Sequence, residues 1–290
     1  MTDWQISHRT GYLYPTPAQR ALHLAWLKPR ETPAQTVREY ALHCDPPPDT
    51  LRWHTDTYAN AYCFIEHLGA HTQFALTSRF TVSCTAGDWR QQTANQAPWE
   101  QALPGPRDAE GYEFTLNEHP PELLTRLLDY ARPSFPPGRP LGEAVLDLNS
   151  RIHADFDYVT GATDVTTPLK TVLDTRRGVC QDFAGVATGC LRALGLPARY
   201  VSGYVEPVVG GQSAIGASHA WAAVRNAAGH WLGFDPTNAV IAGDGHIVLA
   251  IGRRYTDCPP LKGIIYGGGS AAPEVAVEVI RCDSPNPTSA

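Results

Sequence analysis

RRGVCQDFAGVATGCLRALGLPARYVSGYV, residues 176–205, holds a helix, its stop and a strand, and the rest of the chain is organised around it. Phe183, Val186, Ala187, Cys190, Leu191 and Leu194 recur at the i, i+3, i+4, i+7, i+8, i+11 spacing of one helix face. Gly195 and Pro197 end that helix, glycine by accepting a left-handed conformation and proline by lacking an N–H. In ARYVSGYV, Val201, Gly203 and Val205 then alternate with Tyr200, Ser202 and Tyr204, the pattern of a strand. Cys180 falls at the start of the helix. Unpaired N–H groups and the positive dipole end favour an anion there, which is what a nucleophilic cysteine needs.

Downstream, HAWAAVRN (219–226) and HWLGFDPTN (230–238) read as two strands joined by a short turn, hence as a hairpin. The hairpin brings His219, near one end of its strand, beside Asp235, near the far end of the partner. An aspartate that accepts from one ring nitrogen fixes the tautomer and leaves the other nitrogen free to take a thiol proton. Cys180, His219 and Asp235 are therefore candidates for nucleophile, base and orienting carboxylate, with the Cys180 N–H as an oxyanion donor. Taken singly, each has a plainer explanation: a core thiol, a hydrogen-bonded histidine, a turn-opening aspartate before proline. Chain order, helix-start placement and hairpin geometry agree on catalysis. A metal site built from Cys180, Asp182, His219 and Asp235 fits less well, because zinc ligands are usually more tightly spaced.

Upstream, residues 1 to about 85 read as β-rich. HTQFALTSRFTVSC (71–84) puts Phe74, Leu76, Phe80, Val82 and Cys84 on one face, a half-buried antiparallel strand. Tyr40, Leu42 and Cys44 alternate similarly, and 21–27 and 57–67 are further strands, with prolines between them, as in a sandwich or half-barrel. Residues 86–118 read as a linker or covering loop. Helices follow: one with a Leu123, Leu124, Leu127, Leu128 stripe, and one with Ala144, Leu148, Ile152 and Phe156, on which His153 sits off the stripe. A third is capped by Thr167 and ended by Gly178. A glycine-rich loop at 208–218, a last strand with Val275, Val277 and Val279, and a disordered tail at 283–290 complete the chain.

Composition narrows the partners. With 23 basic and 29 acidic residues the net charge is −6, which argues against nucleic acid as the main partner. The N-terminus lacks a signal-peptide pattern and no stretch is long and apolar enough for a membrane span, so a cytoplasmic protein with no membrane partner is expected. Cys44, Cys63, Cys84, Cys180, Cys190, Cys258 and Cys282 form no C-x-x-C pair, and most read as buried thiols of a reducing compartment. The histidines of the first part show no metal spacing and no calcium-loop pattern occurs, so no cofactor is expected.

The residues Gly178 to Ala184, the exit Leu191, Arg192, Gly195, Pro197 to Tyr200 and Gly203, then His219–Ala220–Trp221 and Asp235 to Asn238 carry a family resemblance. On them the chain resembles the bacterial transglutaminase-like superfamily, whose fold is related to the papain-type cysteine proteases. GRRYTDCPPLKGIIYG (252–267) and the β-rich start resemble that family's flanking parts. The resemblance implies an α+β fold. In it, a β-rich, sandwich-like N-terminal domain (1–105) precedes a papain/transglutaminase-like catalytic domain (106–282), whose nucleophile helix packs on an antiparallel sheet. It implies thiol-dependent acyl transfer on a peptide or isopeptide amide of a peptide or protein substrate, ending in water (a cysteine peptidase or amidase) or in an amine (a transglutaminase-like transfer). Gln181, Asp182 and Trp221 are expected in the oxyanion or substrate pocket, together with Tyr158. Many relatives carry a histidine after the Phe–Ala pair, where Gly185 stands here, and that bears on substrate preference. Two other functions compete. Acetyl transfer of the arylamine N-acetyltransferase type shares the Cys, His, Asp order and the Arg177, Gly178, Cys180 pattern, but its cysteine follows a helical N-terminal region. The other is a non-catalytic peptide-binding scaffold.

Overall fold

The computed structural model of this chain describes residues 1–206, 208–209, 212–213 and 218–282. The fold is mixed α+β, with a curled antiparallel sheet from the first part and a smaller five-stranded sheet that carries the helices. The first sheet contains β1 (Thr2–Ala25), β2 (Gln35–Asp45), β3 (Thr50–Thr55), β4 (Ala61–His67) and β5 (His71–Cys84), in the order β2-β5-β1-β4-β3. The face read at 71–84 is the buried one: Phe74, Leu76, Phe80, Val82 and Cys84 all lie in the core. β1 begins far earlier than the strand expected at 21–27. Its first half pairs with β5 and its second with β4, and the β5 register shifts between Leu13 and Ala18. Pro15 and Pro17 stand in that shift and cannot donate to a ladder, which is why the alternation looks broken there.

Residues 86–118 are not a plain linker: they form the short helical turns Trp89–Gln91, Thr93–Gln96, Trp99–Ala102 and Ala109–Glu113. Turns this brief carry no readable period. The longer helices are α1 (Pro121–Ala131), α2 (Leu141–Asp155), α3 (Leu169–Thr175) and α4 (Cys180–Ala193). α1 buries Leu123 and Leu127, while Leu124 and Leu128 sit half-exposed. α3 stops before Gly178, because Arg176 takes the left-handed conformation at φ 54°. Thr167 caps the preceding turn, not α3: its hydroxyl accepts from the Asp164 N–H at 3.0 Å. α4 ends as expected, with Gly195 at φ +83°. No helix among the described residues is long and apolar enough to cross a membrane.

The second sheet joins β6 (Ala198–Val205), β7 (Ser218–Arg225), β8 (Trp231–Asp235), β9 (Val240–Ile241) and β10 (His246–Gly252) in the order β9-β8-β7-β6-β10. Ala198, Ala222, Val224, Leu232 and Phe234 pack against Phe183, Val186, Ala187 and Cys190 of α4. Each large side chain buried this way contributes roughly 1.5–3 kcal/mol. Farther along, Tyr204, Ile247 and Leu249 enter the core of the first sheet beside Trp4, Ile6 and Phe80. β6 is thus buried along nearly its whole length, and its alternation marks which layer a residue meets, not whether it meets water.

The end of the chain departs from the expected 106–282 unit. β11 (Leu261–Gly267) and β12 (Glu274–Cys282) pair with β1, β12 against its first half and β11 against its second. Val277 and Val279 supply the reason, since both are buried in the core of the first sheet. The loop expected at 208–218 lies largely, and the tail 283–290 wholly, outside the described residues.

Candidate active site

Cys180 is the first residue of α4, set there by the geometry of the turn before it. Val179 is extended, and the Asp182 carboxylate accepts from the Val179 N–H at 2.8 Å and from the Thr163 hydroxyl at 2.5 Å. A Cβ on Gly178 would stand 2.7 Å from Asp182 Oδ2, so only glycine lets the carboxylate close this turn. Asp182, expected in the pocket, is 5% exposed and committed to this clamp. Cys180 itself is partly exposed and packs beside Tyr200 and Ala220. Other thiols differ in surroundings: burial pushes those of Cys44, Cys84 and Cys190 up to about 12.

The β7–β8 hairpin forms as read, with Ala222 opposite Phe234. His219 Nε2 lies 2.8 Å from Asp235 Oδ2, and the His219 ring also reaches the Cys180 side chain. With Nε2 engaged by the carboxylate, Nδ1 is the nitrogen left for the thiol. Burial draws the His219 pKa down, but the hydrogen bonds to Asp235 and Cys180 outweigh it and raise the value to about 9. Asp235 is fully buried. Its Oδ1 accepts from the backbone N–H groups of Thr237 at 2.9 Å and Asn238 at 3.3 Å, and its Oδ2 accepts from Asn238 Nδ2 at 2.7 Å. Burial opposes ionisation of Asp235, yet the bonds from His219, His246 and Asn238 prevail and hold it well below the usual carboxylate range.

His246, which no sequence pattern singled out, is the additional member of this group. Its Nε2 lies 3.2 Å from Asp235 Oδ2, and its Nδ1 accepts from the Gly243 N–H at 3.3 Å. An accepting Nδ1 places the proton on Nε2, so His246 donates to Asp235 from the side away from His219. Trp221, expected beside the substrate, stands instead behind these rings, stacked on His219 at 6.2 Å and edge-on to His246 at 5.2 Å, and is 2% exposed.

Tyr158 comes from a two-residue strand, Asp157–Tyr158, which pairs in parallel with Arg177–Gly178 just before the nucleophile. Its ring meets Phe183 edge-on at 6.1 Å, and its phenol is near enough to Cys180 to feel it. Burial and the neighbouring Cys180 raise its phenol pKa. Tyr158 thus lies beside the nucleophile and is 53% exposed. Gln181 is half-buried and makes no side-chain hydrogen bond among the described residues. A side chain at Gly185 would first meet Leu169 of α3, 3.5 Å from the Cβ position, so the glycine shapes helix packing more directly than substrate contact.

Residues 4–83 match the bacterial transglutaminase-like N-terminal region, and residues 130–236, which include Cys180, His219 and Asp235, match the transglutaminase-like superfamily. An uncharacterized protein of Mycobacterium tuberculosis (strain ATCC 25618 / H37Rv) is 39% identical over 289 residues, covering 96% of this chain and 92% of its own length. An uncharacterized protein of Mycobacterium leprae (strain TN) is 30% identical over 284 residues, covering 97% of this chain and 99% of its own. Among solved structures, a protein of Cytophaga hutchinsonii described as a candidate cysteine protease superposes with a TM-score of 0.78 at 21% identity, over 98% of this chain and 92% of that one. That likeness speaks for the fold.

Proposed function

From the premise that this chain belongs to the bacterial transglutaminase-like superfamily, we propose that it transfers the acyl group of a peptide or isopeptide amide through a thioester on Cys180. The observation that carries the proposal is the His219–Asp235 hydrogen bond, on an imidazole whose pKa Cys180 helps to raise, with the nucleophile at a helix start.

In the first half-reaction Cys180 attacks the amide carbon as a thiolate whose proton is already held on His219 Nδ1. The C–S bond forms as the carbonyl π electrons move to oxygen. The Cys180 N–H and the Tyr158 hydroxyl are the donors assigned to that oxygen. Collapse breaks the C–N bond, and His219 returns its proton to the leaving nitrogen. In the second half-reaction His219 deprotonates water or an acceptor amine, which attacks the thioester and releases the sulfur. Asp235 holds the imidazole in the tautomer required and balances its charge. Water as acceptor gives a peptidase or amidase, and an amine gives a transglutaminase-like transfer.

The test is a search of peptide substrates by mass spectrometry for an acyl adduct trapped on Cys180 by acid quench. The adduct should appear in the wild-type chain and vanish in Cys180→Ala, whose melting temperature should stay within a few degrees of wild type. Turnover undiminished in folded Cys180→Ala would sink the proposal.

A further inference from the structure

On the face of the second sheet that alternates with the one facing α4 lies a groove of about 570 Å³ that Cys180 and His219 do not line, although His246 does. Its floor includes Val201, Trp221 and Ala223, and its rim is the 30–35 segment with Thr85. Two guanidiniums, Arg30 and Arg199, line it. Arg199 stacks over the Trp231 ring at 4.3 Å and has no ion pair and no side-chain hydrogen bond among the described residues, while its Nε is closed off without a partner. Arg30 lines the same groove and spends its NH1 on neutral acceptors, the Tyr58 carbonyl and Asn60 Oδ1, each at 2.7 Å. The two guanidiniums repel each other, and the carboxylate that Arg199 feels, Glu110, lies 3.9 Å from Arg225. Trp221 adds an indole N–H with no acceptor among the described residues, beside Gly233, whose Cβ position is 3.4 Å from it.

Arg30 has Asp56 near it, but Arg199 faces this partly enclosed space with no ion pair of its own, which favours an anion as its missing partner. The charge of that anion is limited, because Glu31 also lines the groove, its Oε1 accepting from the Val37 N–H at 3.0 Å. The half-buried Trp231 ring and the exposed Pro33 give the groove apolar surface for an organic body. We propose that this groove binds a small organic monocarboxylate, its carboxylate on Arg199 and its apolar body along Trp231 and Pro33.

The test titrates the full-length protein with 3-phenylpropionate, with the neutral 3-phenylpropionamide and with inorganic phosphate at matched ionic strength, following melting temperature and tryptophan fluorescence. The carboxylate should raise the melting temperature saturably and change the fluorescence, with the amide and phosphate at least about tenfold weaker. Arg199→Met should weaken carboxylate binding by about tenfold or more, and Arg199→Lys by less. Ala34→Trp, at an exposed rim position, should weaken it as well while leaving Arg199 intact, and it keeps the test valid if Arg199→Met does not fold. Cys180→Ala should bind like wild type, which separates this site from the acyl-transfer reaction. An amide that binds as tightly as the carboxylate, phosphate that binds best, or undiminished binding in Ala34→Trp would each overturn the proposal.

Discussion

At the scale of single residues the site turns on how Asp235 is shared between His219 and His246. A hydrogen bond to a buried charged group is worth about 1.5–3 kcal/mol, so the loss of the His246 donor should be felt through Asp235 at His219. His246→Leu should slow alkylation of Cys180 by iodoacetamide near neutral pH by about 10-fold or more, whereas His246→Gln, which keeps an N–H donor, should recover most of the rate. Equal losses in both variants would mean that His246 acts only as packing. The His219–Asp235 pair also sets a stability window. The His219 pKa is raised to about 9, so its contribution is complete below the ordinary 6.5 and is lost as pH rises through about 9. Asp235 is held low, so its contribution is complete above the ordinary 3.8 and is lost in acid. The difference in melting temperature between wild type and Asp235→Asn should therefore be widest near about pH 5–6.5 and shrink above about pH 9; a flat difference across that range would contradict the pairing. Cys180, His219 and Asp235 were legible because a helix start and a hairpin each fix one end of an element. His246 was not, because it reaches Asp235 from another strand across the 242–245 turn, at a spacing set only by tertiary structure.

At the scale of elements, periodicity was readable where a single core face imposes it. The α4 stripe and the 71–84 alternation are both buried as written in the sequence. Edges were not readable, because a strand's edge partners leave no period in its own residues. β10 is such an edge, and its register shifts between Val248 and Ala250. Two buried amides from the first sheet complete it. Gln35 donates to the Val248 carbonyl and accepts from the Val248 N–H, both at 2.8 Å, and Asn60 does the same for Ile251 at 2.7 and 2.9 Å. Each side chain thus acts as one peptide unit of an absent neighbouring strand, which also blocks edge-to-edge pairing. Leaving a buried backbone group unpaired costs about 1–3 kcal/mol; Gln35→Leu strands the Val248 N–H, while the Val248 carbonyl keeps a 3.4 Å bond from the Arg30 N–H, so it should destabilise the protein by about 1–3 kcal/mol. Urea unfolding should show this as a lower midpoint at unchanged slope. A loss under about 0.5 kcal/mol would mean that the edge is satisfied in another way.

At the scale of the molecule, the expected 1–105 and 106–282 units imply a catalytic part with a core of its own. The packing describes something more entangled, because β11 and β12 need β1 as their partner and Tyr204, Ile247 and Leu249 sit in the core of the first sheet. His8 Nδ1 also lies 2.8 Å from the Tyr204 hydroxyl, buried between the two sheets, and burial lowers its pKa to about 4, so it stays neutral at that junction. Trp4 Nε1 donates to the Asp244 carbonyl at 2.7 Å, tying the start of β1 to the turn that carries His246. A fragment spanning 106–282 would expose this shared core, leave β11 and β12 without a sheet, and strip Gln35 and Asn60 from the β10 edge. It should therefore keep much of its helix signal but lose near-ultraviolet dichroism, bind a hydrophobic dye and melt without a sharp transition. Cys180 in that fragment should alkylate no faster than an ordinary thiol, since the β10 edge also fixes His246 against Asp235. The full chain should unfold in one calorimetric transition whose van't Hoff and calorimetric enthalpies agree. A fragment that melts cooperatively and alkylates at the full-length rate would show instead that the first sheet is an appendage, and that the triad geometry belongs to the catalytic part alone.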